Sequence, residues 1–412
     1  MTDPILALDF GTSNSAVAIL EDGTARIIPM ETGAQTLPSA IFLDYDSREM
    51  LLGEAAIAAL VEGQEGRFMR ALKSVLGTPL FHEKRQFLNQ RRTLAEIVTD
   101  FLTRIRQRAE DATGLRFRRV LAGRPVRFHH RDAARDAQAV ADLEACLRAA
   151  GFDAVTFMFE PEAAALAAAG DAPGTGLIVD IGGGTSDFSV FHRSDDGIGI
   201  LASHGIRLGG TDFDRSLSLD HVMPLLGMGT ELRAEMGPDR HVAPRAIFHD
   251  LSTWARIPFL YSPQTLREVA RMIKVAVEPE KLRRLGVVLE DELGHDVAFA
   301  VERGKIATNG RQADGAIELG MIEPGLSAPL GGPALALSLE QGASDIAAAA
   351  ITCIELAGIP PEQVDRLVLV GGSSLMTGVS DAVSRSLPAA RIETGNAFTA
   401  IIDGLALATA RG

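Results

Sequence analysis

The 412-residue sequence has few cysteines and lacks any apolar run long enough to cross a bilayer. Its two cysteines, Cys146 and Cys353, each fall in a helix-like stretch, which favours two buried thiols in a reducing compartment over a disulfide framework. The first residues lack the basic region and apolar core of a leader peptide, and no uncharged apolar run reaches about 18 residues. These absences predict a cytoplasmic protein that does not enter a membrane.

Positive charge is also in short supply. The chain has 40 lysines and arginines against 54 aspartates and glutamates, which gives a formal net charge of −14. This excess of negative charge disfavours broad attraction to nucleic acid or to an anionic membrane surface. We therefore expect no nucleic-acid partner, and a phosphate-bearing ligand would have to be held by local groups.

Composition and apolar periodicity indicate a globular α/β protein. Hydrophobic residues make up 46% of the chain and charged residues 23%, and its length exceeds what one hydrophobic core usually supports, so two or three folding units are expected. Strand-like residues 118–125 and 154–159 flank a predicted helix at 132–150, and further helices are predicted at 94–105 and 343–357. This alternation is typical of layered α/β sheets.

An internal echo is the most informative feature. The segment LALDFGTSNSAV at 6–17 and the segment IVDIGGGTSDFSV at 178–190 share a strand, an aspartate, glycine, a Thr-Ser pair and a second strand. Their aspartates, Asp9 and Asp180, are 171 positions apart, which is far beyond the period of a solenoid repeat. Two related lobes are the simplest explanation.

The glycine turns of this echo are suited to phosphate binding. Glycines let successive backbone N–H groups point into one concavity and let an anion approach without meeting a Cβ. Two facing turns could hold a polyphosphate, and the aspartates could hold the water shell of Mg²⁺. Neither turn fits the P-loop or dinucleotide-binding pattern. A purely structural hairpin role for each turn stays open at this point.

Five segments in order give the chain a family resemblance. They are LALDFGTSNS, ALKSVLG at 71–77, EPEAAALAAAG at 160–170, VDIGGGTSDFS with LGGTDFD at 208–214, and VLVGGSS at 368–374. On these segments the sequence resembles the actin, hexokinase and heat-shock chaperone ATPase superfamily, and within it the ATPase domain of DnaK-like chaperones. The resemblance implies an α/β, two-lobed actin-like fold of duplicated ribonuclease-H-like domains with a central nucleotide cleft.

The same resemblance implies a set of site residues. Lys73, Glu160 and Asp180 would be catalytic, with Lys73 reaching the terminal phosphate, Glu160 helping to orient the attacking water and Asp180 steering its proton. Asp9 and Asp180 would lie near hydrated Mg²⁺. The residues that would contact ATP or ADP are Gly11, Thr12, Ser13, Gly182, Gly183, Gly184 and Thr185 around the phosphates, and Gly210, Glu302, Lys305, Gly371, Gly372 and Ser373 around the adenosine.

Several other polar residues remain ambiguous or receive a structural interpretation. Asp187 and Asp212 fit either a turn-capping or a metal-shell role. His129 and His130 follow a strand without a paired ligand motif, so surface histidines are predicted. Trp254 is predicted to be a packing residue.

The resemblance also predicts domain boundaries. Lobe I would span residues 1–187 with a cap at about 39–115, and lobe II would span 188–412 with a helical cap at about 228–311. The chain stops eight residues after Gly404, as in the stand-alone YegD-like members that lack a peptide-binding domain. A nucleotide switch without that domain is therefore expected.

One departure from the family pattern concerns the adenine. DnaK-like chaperones hold this ring between two arginines, whereas the matching positions here are Ile306 and Leu375. Apolar side chains can still cover a ring, but the cation–π contribution of about 0.5–2 kcal/mol per arginine is lost. The sequence therefore predicts weaker adenine binding than in the full chaperones.

Three functions compete at this stage. The first is a Mg²⁺-dependent ATP-binding protein with slow ATP hydrolysis, acting as a chaperone-like switch with co-chaperone or client protein partners. The second is a small-molecule kinase, for sugars or acids, of the same superfamily. The third is a non-enzymatic actin-like filament subunit or nucleotide-gated scaffold.

Overall fold

The computed structural model describes residues 3–88, 90–129, 132–168, 173–194, 197–234, 238–310, 315–393 and 399–411. The chain divides into two compact units. The larger unit comprises Met1–Gly210, Ala343–Leu375 and Val379–Gly412, and the smaller unit comprises Thr211–Gly342 and Met376–Gly378. The lobe boundary after residue 187 falls inside a strand at Ser186–Ser194. This boundary and the two cap ranges stay predictions.

The strands, in chain order, are β1 (Ile5–Phe10), β2 (Asn14–Glu21), β3 (Thr24–Ile27), β4 (Leu37–Pro38), β5 (Ala40–Asp44), β6 (Met50–Leu52), β7 (Gly66–Arg70), β8 (Arg85–Phe87), β9 (Gln90–Arg92), β10 (Arg119–Arg124), β11 (Ala154–Phe159), β12 (Gly174–Ile181), β13 (Ser186–Ser194), β14 (Gly197–Ile206), β15 (Glu231–Arg233), β16 (Arg240–Val242), β17 (Ala316–Glu318), β18 (Ser327–Pro329), β19 (Arg366–Val370) and β20 (Arg391–Glu393). The α-helices are α1 (Glu54–Val61), α2 (Pro79–His82), α3 (Leu94–Thr113), α4 (Ala133–Ala149), α5 (Glu160–Ala168), α6 (Gly210–Leu217), α7 (Ala246–Leu251), α8 (Pro263–Val275), α9 (Pro279–Glu290), α10 (Gly294–Thr308), α11 (Gly332–Leu356), α12 (Thr377–Ser386) and α13 (Ala400–Ala408).

Two sheets of the larger unit have the same topology. The first runs β3-β2-β1-β10-β11, with β4 added on β2, and the second runs β14-β13-β12-β19-β20. In both sheets the first two pairings are antiparallel and the last two are parallel. The echo between residues 6–17 and 178–190 is therefore the repeated central hairpin of two equivalent sheets.

Two helices, the alanine-rich α5 and the more aliphatic α13, pack against both sheets. Ala163 of α5 and Leu405 of α13 join a core cluster with Ala7 and Ala16 of the first sheet. On the other side, Ala164, Ala165 and Ala400 join a cluster with Ile178, Phe191 and Val368 of the second sheet. The helices approach so closely that a Cβ added at Gly404 would overlap the carbonyl oxygen of Ala163. The run of alanines in α5 is thus explained by packing between two sheets.

The helix predicted at 132–150 is confirmed as α4, whereas the helix predicted at 94–105 starts as expected but continues to Thr113. Helix α3 starts at a capping box formed by Thr93 and Glu96 and ends at Gly114, which adopts the left-handed conformation. Helix α4 is capped by Asp132. The helix predicted at 343–357 is wrong at its start, because α11 begins at Gly332. Pro333 is suited to a first helical turn, and the residues that follow it continue the helix through packing of one face.

The smaller unit is built mainly from helices α7 to α10 and from the hairpins β15–β16 and β17–β18. Trp254 is buried there and packs edge-on against Phe299, with ring centroids 5.0 Å apart, as the packing interpretation predicts. Both cysteines of the chain are buried and unpaired. Within the described residues, no helix combines the length and hydropathy that crossing a bilayer requires.

Candidate functional site

Two carboxylates, one buried at Asp180 and one partly exposed at Asp9, lie at equivalent positions of the two repeated hairpins. Asp9 is the second-last residue of β1 and Asp180 is the second-last residue of β12. Asp180 pairs directly with Asp187 across the β12–β13 hairpin. Asp187 is almost fully buried, and its Oδ1 accepts a hydrogen bond of 2.6 Å from the backbone N–H of Val126. Like charges directly opposite each other on two strands are unfavourable, so this pair needs compensation.

A buried ion pair joins two of the predicted catalytic residues. Lys73 lies on a 3₁₀ turn, Leu72–Val75, and Glu160 is the first residue of α5. The Nζ of Lys73 donates to Oε1 of Glu160 at 2.6 Å, and each side chain is about 6% exposed. The structure therefore brings together residues 87 positions apart. The roles assigned to them in catalysis stay predictions.

Several carboxylates compete for this one lysine. Burial, reinforced by the charge of Glu160, raises the pKa of Asp9 to about 7 from an ordinary value of 3.8, although Lys73 opposes the shift. Burial and the charges of Glu160, Asp187 and Asp9 raise the pKa of Asp180 well above its usual range. Burial and Glu160 raise the pKa of Asp187 in the same direction. The cluster has an excess of negative charge that a bound cation would relieve.

The lysine itself is held in its charged form. Burial lowers the pKa of Lys73, but the charges of Glu160 and Asp9 more than offset this effect, and the net direction is upward. A permanently charged ammonium in a water-poor site interacts strongly with a neighbouring anion. Lys73 is therefore equipped to stabilise an additional negative group at this location.

The two glycine turns contact each other. A Cβ at Gly183 would overlap the Oγ of Ser13, and one at Gly184 would lie 3.1 Å from the Oγ1 of Thr12. The Gly182 backbone N–H donates to the Thr185 carbonyl at 3.0 Å and closes the second turn. The structure therefore brings the two turns together, and a side chain at 183 or 184 would press against Ser13 and Thr12.

Two further segments converge on the second turn. The Gly210 N–H donates to the Gly182 carbonyl at 2.9 Å, and the Oγ of Ser373 donates to the same carbonyl at 3.3 Å. Gly371 lies against the end of β12, where an added Cβ would be 2.7 Å from Oδ1 of Asp180. Gly372 follows as the first residue of a 3₁₀ turn. The structure brings Gly210, Gly371 and Ser373 together beside the second turn, and their contact with adenosine stays a prediction.

Glu302 and Lys305 lie on α10 in the smaller unit. The Nζ of Lys305 donates to Oδ1 of Asp214 at 2.6 Å in a second buried ion pair. The indole N–H of Trp254 donates to the other oxygen of Asp214 at 3.3 Å. Burial raises the pKa of Asp214 and Lys305 opposes this shift. Sequence reasoning did not single out Asp214, and the predicted roles of Glu302 and Lys305 toward adenosine stay predictions.

The carboxylate cluster fits a hydrated magnesium ion better than a metal caged by protein ligands. Among the described residues, no group of three or more His, Cys, Asp or Glu side chains is arranged to hold a metal. Oδ1 of Asp180 and Oδ2 of Asp187 are buried and accept no hydrogen bond from any described residue. Mg²⁺ prefers oxygen ligands, keeps several waters and is usually bound by one or two carboxylates. The donor set and the negative charge of the cluster match that preference.

Two residues differ from, or go beyond, their sequence-based interpretation. Asp187, which the sequence left between a turn cap and a metal shell, belongs to the buried carboxylate cluster, and its position opposite Asp180 in the hairpin was the available signal. The prediction of a surface histidine at position 129 is wrong, because His129 is buried and its Nε2 bonds to the Leu76 carbonyl at 2.7 Å. His130 lies outside the described residues.

Comparisons with known proteins identify a family for this chain. A family model described as Hsp70 protein matches residues 5–235. The chaperone protein DnaK of Thermosipho melanesiensis is 33% identical over 218 residues, which are 52% of this chain and 35% of the relative. The DnaK proteins of Thermosipho africanus and Thermotoga neapolitana are also 33% identical over 218 residues, covering 34% and 35% of their lengths. The match thus spans about a third of each relative.

The fold class expected from the sequence is also confirmed, since the ATPase domain of this family has the two-lobed, actin-like α/β architecture. A family match over more than half of the residues shows that this chain belongs to the Hsp70 family.

Proposed function

We propose that the protein is a Mg²⁺-dependent ATP-binding protein that hydrolyses ATP slowly and uses its nucleotide state as a chaperone-like switch. The observation that carries this proposal is the buried Lys73–Glu160 ion pair in electrostatic contact with Asp9, Asp180 and Asp187. Membership of the Hsp70 family supports the binding of ATP. The unsatisfied oxygens of the carboxylate cluster support the binding of Mg²⁺.

Asp9, Asp180 and Asp187 are the residues that would hold hydrated Mg²⁺. When bound, the ion would neutralise phosphate charge and polarise the oxygens of the terminal phosphoryl group. The backbone N–H groups and hydroxyls of the turns at Thr12–Ser13 and Gly182–Thr185 would contact the phosphates. Lys73, charged and poor in solvent, would stabilise negative charge on the transferred group.

Hydrolysis needs a group that takes a proton from the attacking water. As the water oxygen bonds to phosphorus, the bond from phosphorus to the bridging oxygen of ADP breaks, and the water proton passes to a carboxylate. Asp180 would accept it as the general base, since its side chain is buried in the same carboxylate cluster as the Lys73–Glu160 ion pair. Glu160 would orient the water while its other oxygen stays bonded to Lys73. We expect slow turnover, because this ion pair already engages both side chains.

Protein partners and location belong to the same proposal. A nucleotide-dependent change of conformation would be read by a co-chaperone or client protein. The two unpaired, buried thiols are consistent with a cytoplasmic location.

The test compares wild type with Lys73→Ala and Lys84→Ala. Phosphate release is measured at saturating Mg·ATP, ATP affinity by calorimetry, and folding by circular dichroism. We expect Lys73→Ala to lower kcat by about 10²–10³-fold, as for removal of one transition-state donor, with affinity changed only a few-fold. Lys84 is exposed, so Lys84→Ala should match wild type.

Three outcomes would contradict the proposal. A folded Lys73→Ala protein that hydrolyses ATP at the wild-type rate would show that Lys73 has no role in catalysis. A wild type that produces ADP only when a sugar or short acid is supplied would indicate a kinase. Absence of ATP binding by the folded wild type would contradict the proposal that the protein binds ATP.

A further inference from the structure

Residues 71–78, here called the lysine segment, adopt a conformation that needs support from outside. Ala71, just before the 3₁₀ turn that carries Lys73, is left-handed with φ 60° and ψ 31°. Gly77, just after the turn, has φ 73°. A left-handed alanine is unfavourable, and such residues persist only where the surroundings over-determine them. The position of Lys73 is therefore imposed by contacts made by other elements.

Asp142 of α4 makes one of these contacts. Its Oδ2 accepts a hydrogen bond of 2.8 Å from the backbone N–H of Gly77. Its Oδ1 accepts from Nε2 of Gln138 at 2.8 Å and contacts Nε2 of His82 at 3.0 Å. The Asp142 side chain is 2% exposed. A buried carboxylate is thus satisfied largely by the lysine segment and by α2, which directly follows it.

Helix α4 lies so close to the lysine segment that only glycine fits at position 77. A Cβ there would overlap the carbonyl oxygen of Arg135 and lie 3.0 Å from the Cβ of Ala139. A shift of α4 would therefore be transmitted directly to the backbone that carries Lys73.

Two further side chains bind the same backbone from other directions. Nε2 of His129, in the loop after β10, bonds to the Leu76 carbonyl at 2.7 Å, and because a carbonyl only accepts, this nitrogen carries the proton. The Nη2 of Arg207, just after β14, donates to the Ser74 carbonyl at 3.0 Å. Arg207 directly precedes Leu208, whose carbonyl accepts from Ser186 at the end of the second glycine turn. The lysine segment is therefore also connected to that turn.

We propose that Asp142, assisted by His129 and Arg207, is a positioning residue that fixes the lysine segment and thereby places Lys73 for catalysis. The inference rests on the proposed ATPase function. Asp142 does not touch the reacting atoms and acts through the Gly77 N–H. A buried carboxylate rarely adds stability compared with a well-packed apolar residue, which makes a positioning role the better explanation of its presence. Displacement of a catalytic group by about 1 Å can cost about 100-fold in rate.

The experiment uses Asp142→Leu, which removes the acceptor, and Asp142→Asn, whose amide oxygen still accepts from Gly77. Glu110→Leu is the matched control, because Glu110 is an equally buried helical carboxylate that accepts from Arg106, Arg116 and the Phe117 N–H instead. We expect Asp142→Leu to lower kcat about 10- to 100-fold with KM for Mg·ATP within about threefold of wild type. Asp142→Asn should restore most of the rate, and Glu110→Leu should cause no selective loss of kcat, whatever its effect on Tm.

A double-mutant cycle separates positioning from general loss of structure. In a Lys73→Ala background, Asp142→Leu should cost no further activity, because it acts only through the lysine. If the two substitutions lower activity independently, so that the double variant loses the product of the two fold-changes, the proposal is overturned. Equal kcat values for wild type and a folded Asp142→Leu protein would also overturn it.

A second readout does not depend on ATP hydrolysis. Acylation of the Lys73 amine by an amine-reactive reagent is followed by mass spectrometry. In wild type this lysine is buried and should react slowly. Asp142→Leu should accelerate labelling at Lys73 about tenfold, whereas Asp142→Asn and Glu110→Leu should not. If wild type hydrolyses no ATP but this pattern is seen, the proposed function fails while the placement of Lys73 by Asp142 stands. Equal labelling of Lys73 in all proteins would overturn the placement.

Discussion

Asp180 and Asp187 face each other across one hairpin, and a lysine and a glutamate close by are already paired with each other. Each of these acids would be unremarkable on a surface strand. Burial raises the pKa of both carboxyl groups, and the charges of Asp187 and of Asp9 from the equivalent hairpin raise the pKa of Asp180 further. At the scale of single residues, the candidate site is therefore a set of carboxylates that are held in place at a cost in stability and are suited to bind a cation.

The raised pKa of Asp9 predicts a pH-dependent stability. Between its ordinary value of 3.8 and about 7, the folded protein keeps a proton that the unfolded chain has released. The destabilising contribution of Asp9 is thus absent below pH 3.8, grows as pH rises and is complete above about 7. It amounts to at most about 4 kcal/mol, and partial exposure of the side chain reduces it.

Urea unfolding of wild type and Asp9→Asn from pH 4 to pH 8 measures this contribution. The free energy of unfolding of wild type relative to the variant should fall by about 2–4 kcal/mol between pH 4 and pH 7, because asparagine does not ionise. Excess Mg²⁺ at pH 8 should restore part of the loss in wild type only. A difference between the two proteins that is constant across this range would contradict the raised pKa.

Ile306 and Leu375, at the positions where DnaK-like chaperones have arginines, are 64% and 53% exposed. Replacing both by arginine should strengthen ATP binding, since each cation–π contact contributes about 0.5–1 kcal/mol at an exposed site. The expected gain is about 5- to 30-fold in Kd by calorimetry. Leu337→Arg/Ile392→Arg is the control, because it adds the same charge at two other exposed apolar residues. Unchanged or weaker affinity in the first double variant, or an equal gain in the control, would count against the prediction.

At the scale of elements, α5 and α13 connect the core to the site. Glu160 opens α5, and the same helix packs its alanines against both sheets. A change in the spacing of α5 and α13 would therefore move the partner of Lys73. The close packing of the alanines of α5 therefore fixes the position of Glu160, the candidate catalytic residue at the start of that helix.

Gly404→Ala should destabilise the protein, because its Cβ would overlap the Ala163 carbonyl of α5. Overpacking of this kind costs about 1–3 kcal/mol. Gly286→Ala is the matched control, since that Cβ would meet only Cδ1 of Ile273 at 3.6 Å, an ordinary contact, and alanine is the better helix former by about 1 kcal/mol. Thermal unfolding should show a lower Tm for Gly404→Ala and an equal or higher Tm for Gly286→Ala. Similar effects of the two substitutions would show that the α5–α13 contact is not tight.

At the scale of the whole molecule, the proposed binding of nucleotide predicts ligand-dependent stability. A ligand that binds only the folded state at 100 times its Kd stabilises by about 2.7 kcal/mol. Mg·ATP and Mg·ADP should therefore raise Tm by several degrees, and EDTA should reduce the effect. Lys84→Ala should respond like wild type, and GTP tests the nucleotide preference. If ATP and ADP raise Tm equally with and without Mg²⁺, the proposed metal dependence of nucleotide binding is contradicted.

Much of the fold could be predicted because its signals are local. Apolar periodicity located the start of α3, all of α4 and the strands on either side of α4, and the echoed hairpins indicated the duplication. The start of α11 at Gly332 was missed, because its first turns are helical through the packing of Leu335 and Leu339 on one face while Leu337 is exposed. The glycine turns were predicted to bind phosphate because glycines leave backbone N–H groups accessible. The association of Lys73 with Glu160 was implied only by the family resemblance.

By itself the sequence determined the repeated strand–turn–strand units, the placement of aspartates at their ends and the family, because these depend on neighbouring residues and on the order of short segments. Only the tertiary structure decided that Asp187 joins the buried acids, that His129 is an interior hydrogen-bond donor and that Asp142 supports the lysine segment. Burial and charge coupling arise between groups far apart in the chain, as with Asp142 and Gly77, which are 65 positions apart. Such distances in sequence carry no local pattern, and the fold alone brings these groups together.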